Sequence, residues 1–273
     1  MRRVIHLAFA LILLSSPTVE VLASPVGHTE QQGGLVASLM EQMTPAEKVG
    51  QLFLVTFYGP SVEAETDVER LVTQYHVGGV MLLAANDNLT DTLNAPLQVL
   101  TLTNQLQSAA IAASQIPRET LPGSAGEVST PSFIPLWIAL QHEGDGYPFT
   151  AVRSGMTELP SAMAVGAAWD PAQAEAMGRI AGEELAALGV NLLLGPSLDV
   201  LDTPRPQGPG DLGTRTFGGD PYWVGLMGQA YIRGVHAGAG SQVAVVAKHF
   251  PGLGSSDRNP HEDQDVPTVR KLL

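Results

Sequence analysis

Five short apolar runs recur along this chain, and none shows the strict in–out alternation of a strand with one wet face. They are "QLFLVTF" (Gln51–Phe57), "GGVMLL" (Gly78–Leu83), "PLWIAL" (Pro135–Leu140), "VNLLLG" (Val190–Gly195) and "QVAVVA" (Gln242–Ala247). Such runs belong to strands covered on both faces, which means a parallel sheet flanked by helices. The stretches between them supply amphipathic helices over Ser61–Tyr75, Leu97–Ala113, Pro171–Leu188 and Pro221–Ala237. Helix starts are marked as well. Thr44, Pro45 and Glu47 in "MTPAEKVGQL" give an N-cap, a first-turn proline and a capping-box partner, and Asp170 caps the helix opening at Pro171. The expected fold class is α/β.

Where the polar residues fall narrows the choice of parallel sheet. Neither a Walker-type lysine loop nor a dinucleotide glycine fingerprint follows any of the runs, which disfavours nucleotide-binding sheets. The chemically loaded segments follow the C-terminal ends of strands instead. "QHEGDG" comes after the third, "SLDV" through "TRTFGGDP" after the fourth, and "KHFPG" after the fifth. A (β/α)8 barrel of the TIM type builds its sites in this way, from βα loops. About five β/α units are legible where such a barrel needs eight, so the expectation is an incomplete barrel whose fifth strand is an unpaired edge. The segment Pro117–Phe133 precedes a strand and is expected on the opposite face, without chemistry.

A length of 273 residues suits one large α/β domain or two small ones. The net charge of −13 argues against a nucleic-acid partner, whose phosphates would be repelled. At the N-terminus, Arg2 and Arg3 precede the apolar run Leu7–Leu14, and small residues follow in "VLAS". This is the pattern of a secretory signal covering residues 1–23, with cleavage after Ala23. Export to the periplasm or exterior is therefore expected, with membrane contact only during export. There is no cysteine, hence neither a lipid anchor nor a disulfide. Residues 24–42 read as a polar linker and residues 43–273 as the domain.

The segments "MTPAEKVGQL", "VGGVMLL", "IPLWIALQHEG", "LPSAMAVGAAWDP", "GTRTFGGDP" and "KHFPGLG…H" occur in an order similar to that of the N-terminal barrel of glycoside hydrolase family 3. They most resemble its β-N-acetylglucosaminidase branch, and the last of them is the most specific. The resemblance implies retaining hydrolysis of a terminal N-acetyl-β-D-hexosaminide, from peptidoglycan or chitin fragments. No His/Asp/Glu cluster has metal-ligand spacing, "HEDQD" (His261–Asp265) reading as loop polarity, so no metal or organic cofactor is expected. It places the general acid/base at His261, normally paired with an aspartate two residues earlier, where this chain has Asn259. Arg215, Lys248 and His249 match sugar-binding positions. The implied nucleophile is an aspartate on a later strand, to which no residue of this sequence corresponds. The expectation is therefore a C-terminally truncated enzyme that does not turn over alone.

Each residue also has a plainer reading. A histidine with a reference pKa of about 6.5 suits proton transfer near neutrality, yet His261 could equally be a loop residue. Lys248 follows a buried strand, where a lysine is rarely unpaired, and Asp199 is its expected partner. The fork of Arg215 suits bidentate contact with hydroxyls or with a carboxylate. Asp199, closing the fourth strand, either orients Lys248 or Arg215 or touches the sugar.

Two charges are missing relative to the resemblance. Gln141 stands where an aspartate usually contacts the non-reducing sugar, with Glu143 close enough in sequence to compensate. Asn259 can orient an imidazole but cannot stabilise its cation by charge. These losses keep open a non-catalytic sugar-binding relic. A histidine acid/base, being neutral as a base, also leaves room for phosphate as acceptor, and so for a phosphorylase.

Overall fold

The computed structural model describes residues 29–89, 94–119, 128–130, 132–144, 150–201 and 212–254. Its strands are β1 (Leu54–Thr56), β2 (Gly79–Met81), β3 (Arg118–Glu119), β4 (Val128–Ser129), β5 (Trp137–Leu140), β6 (Leu192–Ser197) and β7 (Ala244–Lys248). The helices are α1 (Thr29–Gln42), α2 (Pro45–Gly50), α3 (Asp67–Thr73), α4 (Ala95–Ser114), α5 (Ala162–Ala167), α6 (Pro171–Ala187) and α7 (Pro221–Gly238). The chain divides into two units, residues 1–39 and 40–273, so the break falls within α1.

Each of the five apolar runs overlaps one strand of a single parallel sheet, in the order β1-β2-β5-β6-β7, with β6 running on to Ser197 and β7 to Lys248. The strands follow chain order, with only the small antiparallel β3–β4 pair set apart. This is the α/β arrangement expected, five strands of a (β/α)-barrel type sheet. The register runs Leu54 to Gly79 to Trp137 across β1, β2 and β5.

Side-chain alternation then separates two faces. Val80, Ile138, Leu140 and Leu193 are fully buried and join Val68 and Val72 of α3, Leu102 and Leu106 of α4, and Met177 and Leu185 of α6 in one core. Each such side chain contributes on the order of 1.5–3 kcal/mol of transfer free energy. On the other face Leu54, Trp137 and Val246 remain 43–48% exposed.

Capping chemistry sets the helix starts. Thr44 and Glu47 form the full capping box, and the Asp170 carboxylate accepts from Ala172 N. Asp220, Ser161 and Thr66 cap α7, α5 and α3 in the same manner. Two segments differ from the expected layout. Residues 29–42, expected within a linker, form α1 despite Gly33 and Gly34. The segment Pro117–Phe133, expected as an irregular linker, contributes β3 and β4.

Helices α6 and α7 interlock through glycine. A Cβ at Gly178 or Gly182 would overlap the carbonyls of Tyr231 or Val235, and one at Gly234 or Gly238 would overlap those of Glu175 or Arg179. Two glycines four residues apart on each helix thus let the backbones touch. Because α6 leads into β6 and α7 into β7, this contact fixes the spacing of the strands that carry the polar cluster.

Candidate active site

Beyond the C-terminal ends of β5, β6 and β7 the chain places Glu143, Asp199, Arg215, Lys248 and His249. Glu143 lies three residues past β5, Asp199 two past β6, and Lys248 closes β7. Arg215 sits in the loop before α7. A turn bond from Arg215 N to Leu212 O (2.8 Å) and a bond from Met163 N to Thr214 O (2.9 Å) hold this loop against α5. Gly166 of α5 permits that approach, since a Cβ there would strike the Phe217 carbonyl.

Glu143 is the hub. Arg215 donates to it through Nε (2.7 Å) and Nη2 (3.1 Å), a bidentate fork with both side chains 4% exposed. Lys248 Nζ lies 2.5 Å from the same carboxylate, completing a buried ion-pair triad. Gly195 on β6 leaves room for Glu143, whose Cγ would lie 3.3 Å from a Cβ at that position. Burial, with the Arg215 cation adding to it, pulls the Lys248 ammonium below its ordinary value against the opposing pull of Glu143.

Asp199 forms a second group. Its carboxylate accepts from Ser197 Oγ (2.8 Å) and from Leu253 N (2.5 Å), and it lies 2.7 Å from His249 Nδ1. An ionised carboxylate only accepts, so this contact puts the imidazole proton on Nδ1. Burial alone would raise the Asp199 carboxyl. Hydrogen bonds from His249, Leu253 N–H and Ser197 outweigh it and hold the group below the usual aspartate value. Thr216 Oγ1 donates to the Asp199 carbonyl (2.7 Å), tying the loop of Arg215 to the loop of Asp199.

This geometry corrects three expectations. The partner of Lys248 is Glu143 and not Asp199, because Glu143 reaches across two strands to the end of β7. Asp199 orients His249 instead of Lys248 or Arg215. Glu143, read from the sequence as able to compensate for Gln141, engages two cations, Arg215 and Lys248. Glu143 and Asp199, expected among the sugar-contacting residues, are buried and hold the more exposed Lys248 (13%) and His249 (17%). Gln141 is half-buried; its backbone carbonyl accepts from Ala151 N (2.9 Å), and no hydrogen bond joins its side chain to the cluster among the described residues. His261 and Asn259 lie outside the described residues.

Ser197 and Thr216 were not singled out from the sequence. Ser197 stands two residues before Asp199 at a strand end, hence on the same side, and Thr216 adjoins Arg215. Those offsets are the signal that could have found them. No group of three or more metal-ligating side chains occurs among the described residues.

Buried ionic and hydrogen-bonding groups collected at the C-terminal ends of parallel strands are the arrangement of an α/β protein of the (β/α)-barrel class. A sequence model described as the glycosyl hydrolase family 3 N-terminal domain matches residues 44–271. The chain belongs to glycoside hydrolase family 3. Among curated relatives, a β-N-acetylglucosaminidase/β-glucosidase of Cellulomonas fimi is 29% identical over 92% of this chain and 37% of its own length. A solved family 3 β-N-acetylglucosaminidase from Paenibacillus sp. str. FPU-7 superposes with a TM-score of 0.63 at 32% identity, over 80% of this chain and 35% of that one. A structure of the β-glucoside phosphorylase BglX bound to 2FGlc gives 0.63 at 26% identity, over 87% and 35%. The chain therefore spans about a third of the length of these proteins.

Proposed function

We propose that this chain supplies the sugar-binding part of a retaining glycosidase acting on terminal N-acetyl-β-D-hexosamine residues. The observation that carries the reading is the Glu143–Arg215–Lys248 triad beside the Asp199–His249 pair, all beyond the ends of adjacent barrel strands. Two cations share one buried carboxylate, so the triad keeps a net positive charge with donors held in place. A sugar ring presents hydroxyls that such fixed donors engage without reorganisation. Lys248 and His249 are the contacting residues, with Glu143 and Asp199 positioning them. The names of the relatives support N-acetylglucosamine as the sugar.

In this reading His261 is the acid/base, oriented by Asn259. The chemistry also needs a carboxylate nucleophile about 5 Å away from the acid/base. The pattern of residues 1–23 supports export, and no described helix is long and apolar enough to cross a membrane.

The test is calorimetric titration with N-acetylglucosamine, followed by assay on a chromogenic N-acetyl-β-glucosaminide with and without inorganic phosphate. Saturable binding lost in Lys248→Met supports the site, and product release lost in His261→Ala supports the acid/base. Glycosyl phosphate as product would identify a phosphorylase. No affinity for the sugar would end the reading. One observation favours a second reading, a sugar-binding protein without turnover: Gln141 brings no charge to the cluster. Affinity without product under all of these conditions would select it.

A further inference from the structure

Directly behind Glu143 the structure holds a second polar cavity that the triad does not use. His142 is 1% exposed, and neither ring nitrogen has a hydrogen-bond partner among the described residues. The hydroxyl of Thr150, paired with His142 through an isolated antiparallel bridge, is likewise buried and without a partner among them. Both line a cavity of about 260 Å³ whose wall also includes Val152, Arg153, Thr157 and Leu159. The Thr157 side of that wall is fixed by bonds from its N (3.0 Å) and Oγ1 (2.6 Å) to Glu184 Oε1.

Burying a polar group without a partner costs roughly 1–3 kcal/mol, and here two residues that line one space bear that cost at three atoms. Native proteins resolve such a debt with a ligand or with water. The volume equals about nine waters at their share of the liquid, more than a single bridging water needs. It lies just under the ~300–1,000 Å³ of drug-sized pockets, which suits a single ring or a glycerol-sized molecule.

The groups present decide the chemistry. A neutral imidazole offers one donor and one acceptor, and a hydroxyl offers both. Alcohols complement that set because each is itself donor and acceptor. Burial keeps His142 below the ordinary imidazole value despite Glu184, so it brings no fixed positive charge for an anion. Arg153 and Glu158 bring one charge of each sign to the wall, so the lining as a whole is neutral. A lone histidine with a hydroxyl is too few ligands for a metal.

We propose that the cavity of His142 and Thr150 is a binding site for a small neutral polyol or a single sugar ring, separate from the Lys248–His249 cluster. A ligand there would abut the strand-end loop that carries Glu143, since His142 and Gly144 both line the cavity.

The test follows the ring ¹⁵N resonances of His142 in the full chain during titration with glycerol and with D-glucose. The expected result is a saturable shift with at least one probe at millimolar Kd, retained in Lys248→Met. It should weaken roughly tenfold or more in His142→Leu, followed through backbone amides, and in Thr150→Val. Replacing an unsatisfied buried imidazole by an apolar group should leave thermal stability equal or higher. If His142→Leu does not fold, the near-isosteric Thr150→Val decides alone. No saturable shift with either probe, or shifts that persist unchanged in Thr150→Val, would overturn the proposal and leave the cavity to ordered water.

Discussion

Glu143→Gln removes one charge and almost no volume, so it isolates what the carboxylate does for the two cations. In the native arrangement one oxygen takes Arg215 Nε, while the other faces both Arg215 Nη2 and Lys248 Nζ. A glutamine has one acceptor oxygen and one NH₂ group. With the oxygen toward Nε, the NH₂ confronts two donors; turned over, it confronts Nε. No orientation satisfies all three. Breaking a buried ion pair by removing one partner costs about 3–5 kcal/mol, a large share of a typical stability of roughly 5–15 kcal/mol.

Lys248 moderates that loss in a pH-dependent way. Its folded pKa is already below the ordinary value through burial and Arg215, and losing Glu143 lowers it further. The unfolded variant then binds more protons than the folded one between the two pKa values, so its stability rises with pH there. Urea unfolding at neutral pH and near pH 9 is the assay. The midpoint should fall with an unchanged slope, and the deficit should shrink at the higher pH. A loss under about 1 kcal/mol, equal at both pH values, would refute Glu143 as the shared counter-charge.

Three further outcomes can be checked. Asp199→Asn should cost about 1.5–3 kcal/mol in denaturant unfolding, the range for hydrogen bonds to a charged group. Because the folded Asp199 pKa is depressed, its contribution is complete above the ordinary aspartate value and is lost as pH falls through the folded one; the variant's stability should therefore decline less steeply with acid. Gly182→Ala should lose about 1–3 kcal/mol by forcing α6 from α7. Gly225→Ala in α7, where a new Cβ meets nothing within 4 Å, should instead gain about 0.5–1 kcal/mol; equal thermal melts would refute the interlock. Asn259→Asp should raise kcat severalfold in a chain that turns over, and an unchanged or lower rate would count against Asn259 as the partner of His261.

The sheet was legible because its signal is local. Val80, Ile138 and Leu193 sit in runs that no half-wet strand would carry, and Thr44 and Asp170 cap through chemistry confined to three residues. Pairing across strands was not legible. Glu143 and Asp199 follow their strands by similar offsets, and only the stagger and twist of the sheet decide which reaches Lys248. The interlock of α6 and α7 had a sequence signal in Gly178/Gly182 and Gly234/Gly238. That spacing acquires meaning only once the two helices are known to touch. His142 stayed hidden beside Glu143, because alternation sends neighbours to opposite sides and the sequence does not tell which side is hollow.

The described sheet has two free margins, since β1 pairs only with β2 and β7 only with β6. Near those margins Leu54 and Val246 meet solvent. Strand edges of this kind recruit other strands unless something holds them off. In this protein the uncompensated negative charge can do that over distances of about a Debye length, ~10 Å at 0.1 M salt and ~3 Å at 1 M. Its colloidal behaviour should therefore run opposite to ordinary salting-in: clear solutions at low ionic strength, and light scattering that grows as salt is added.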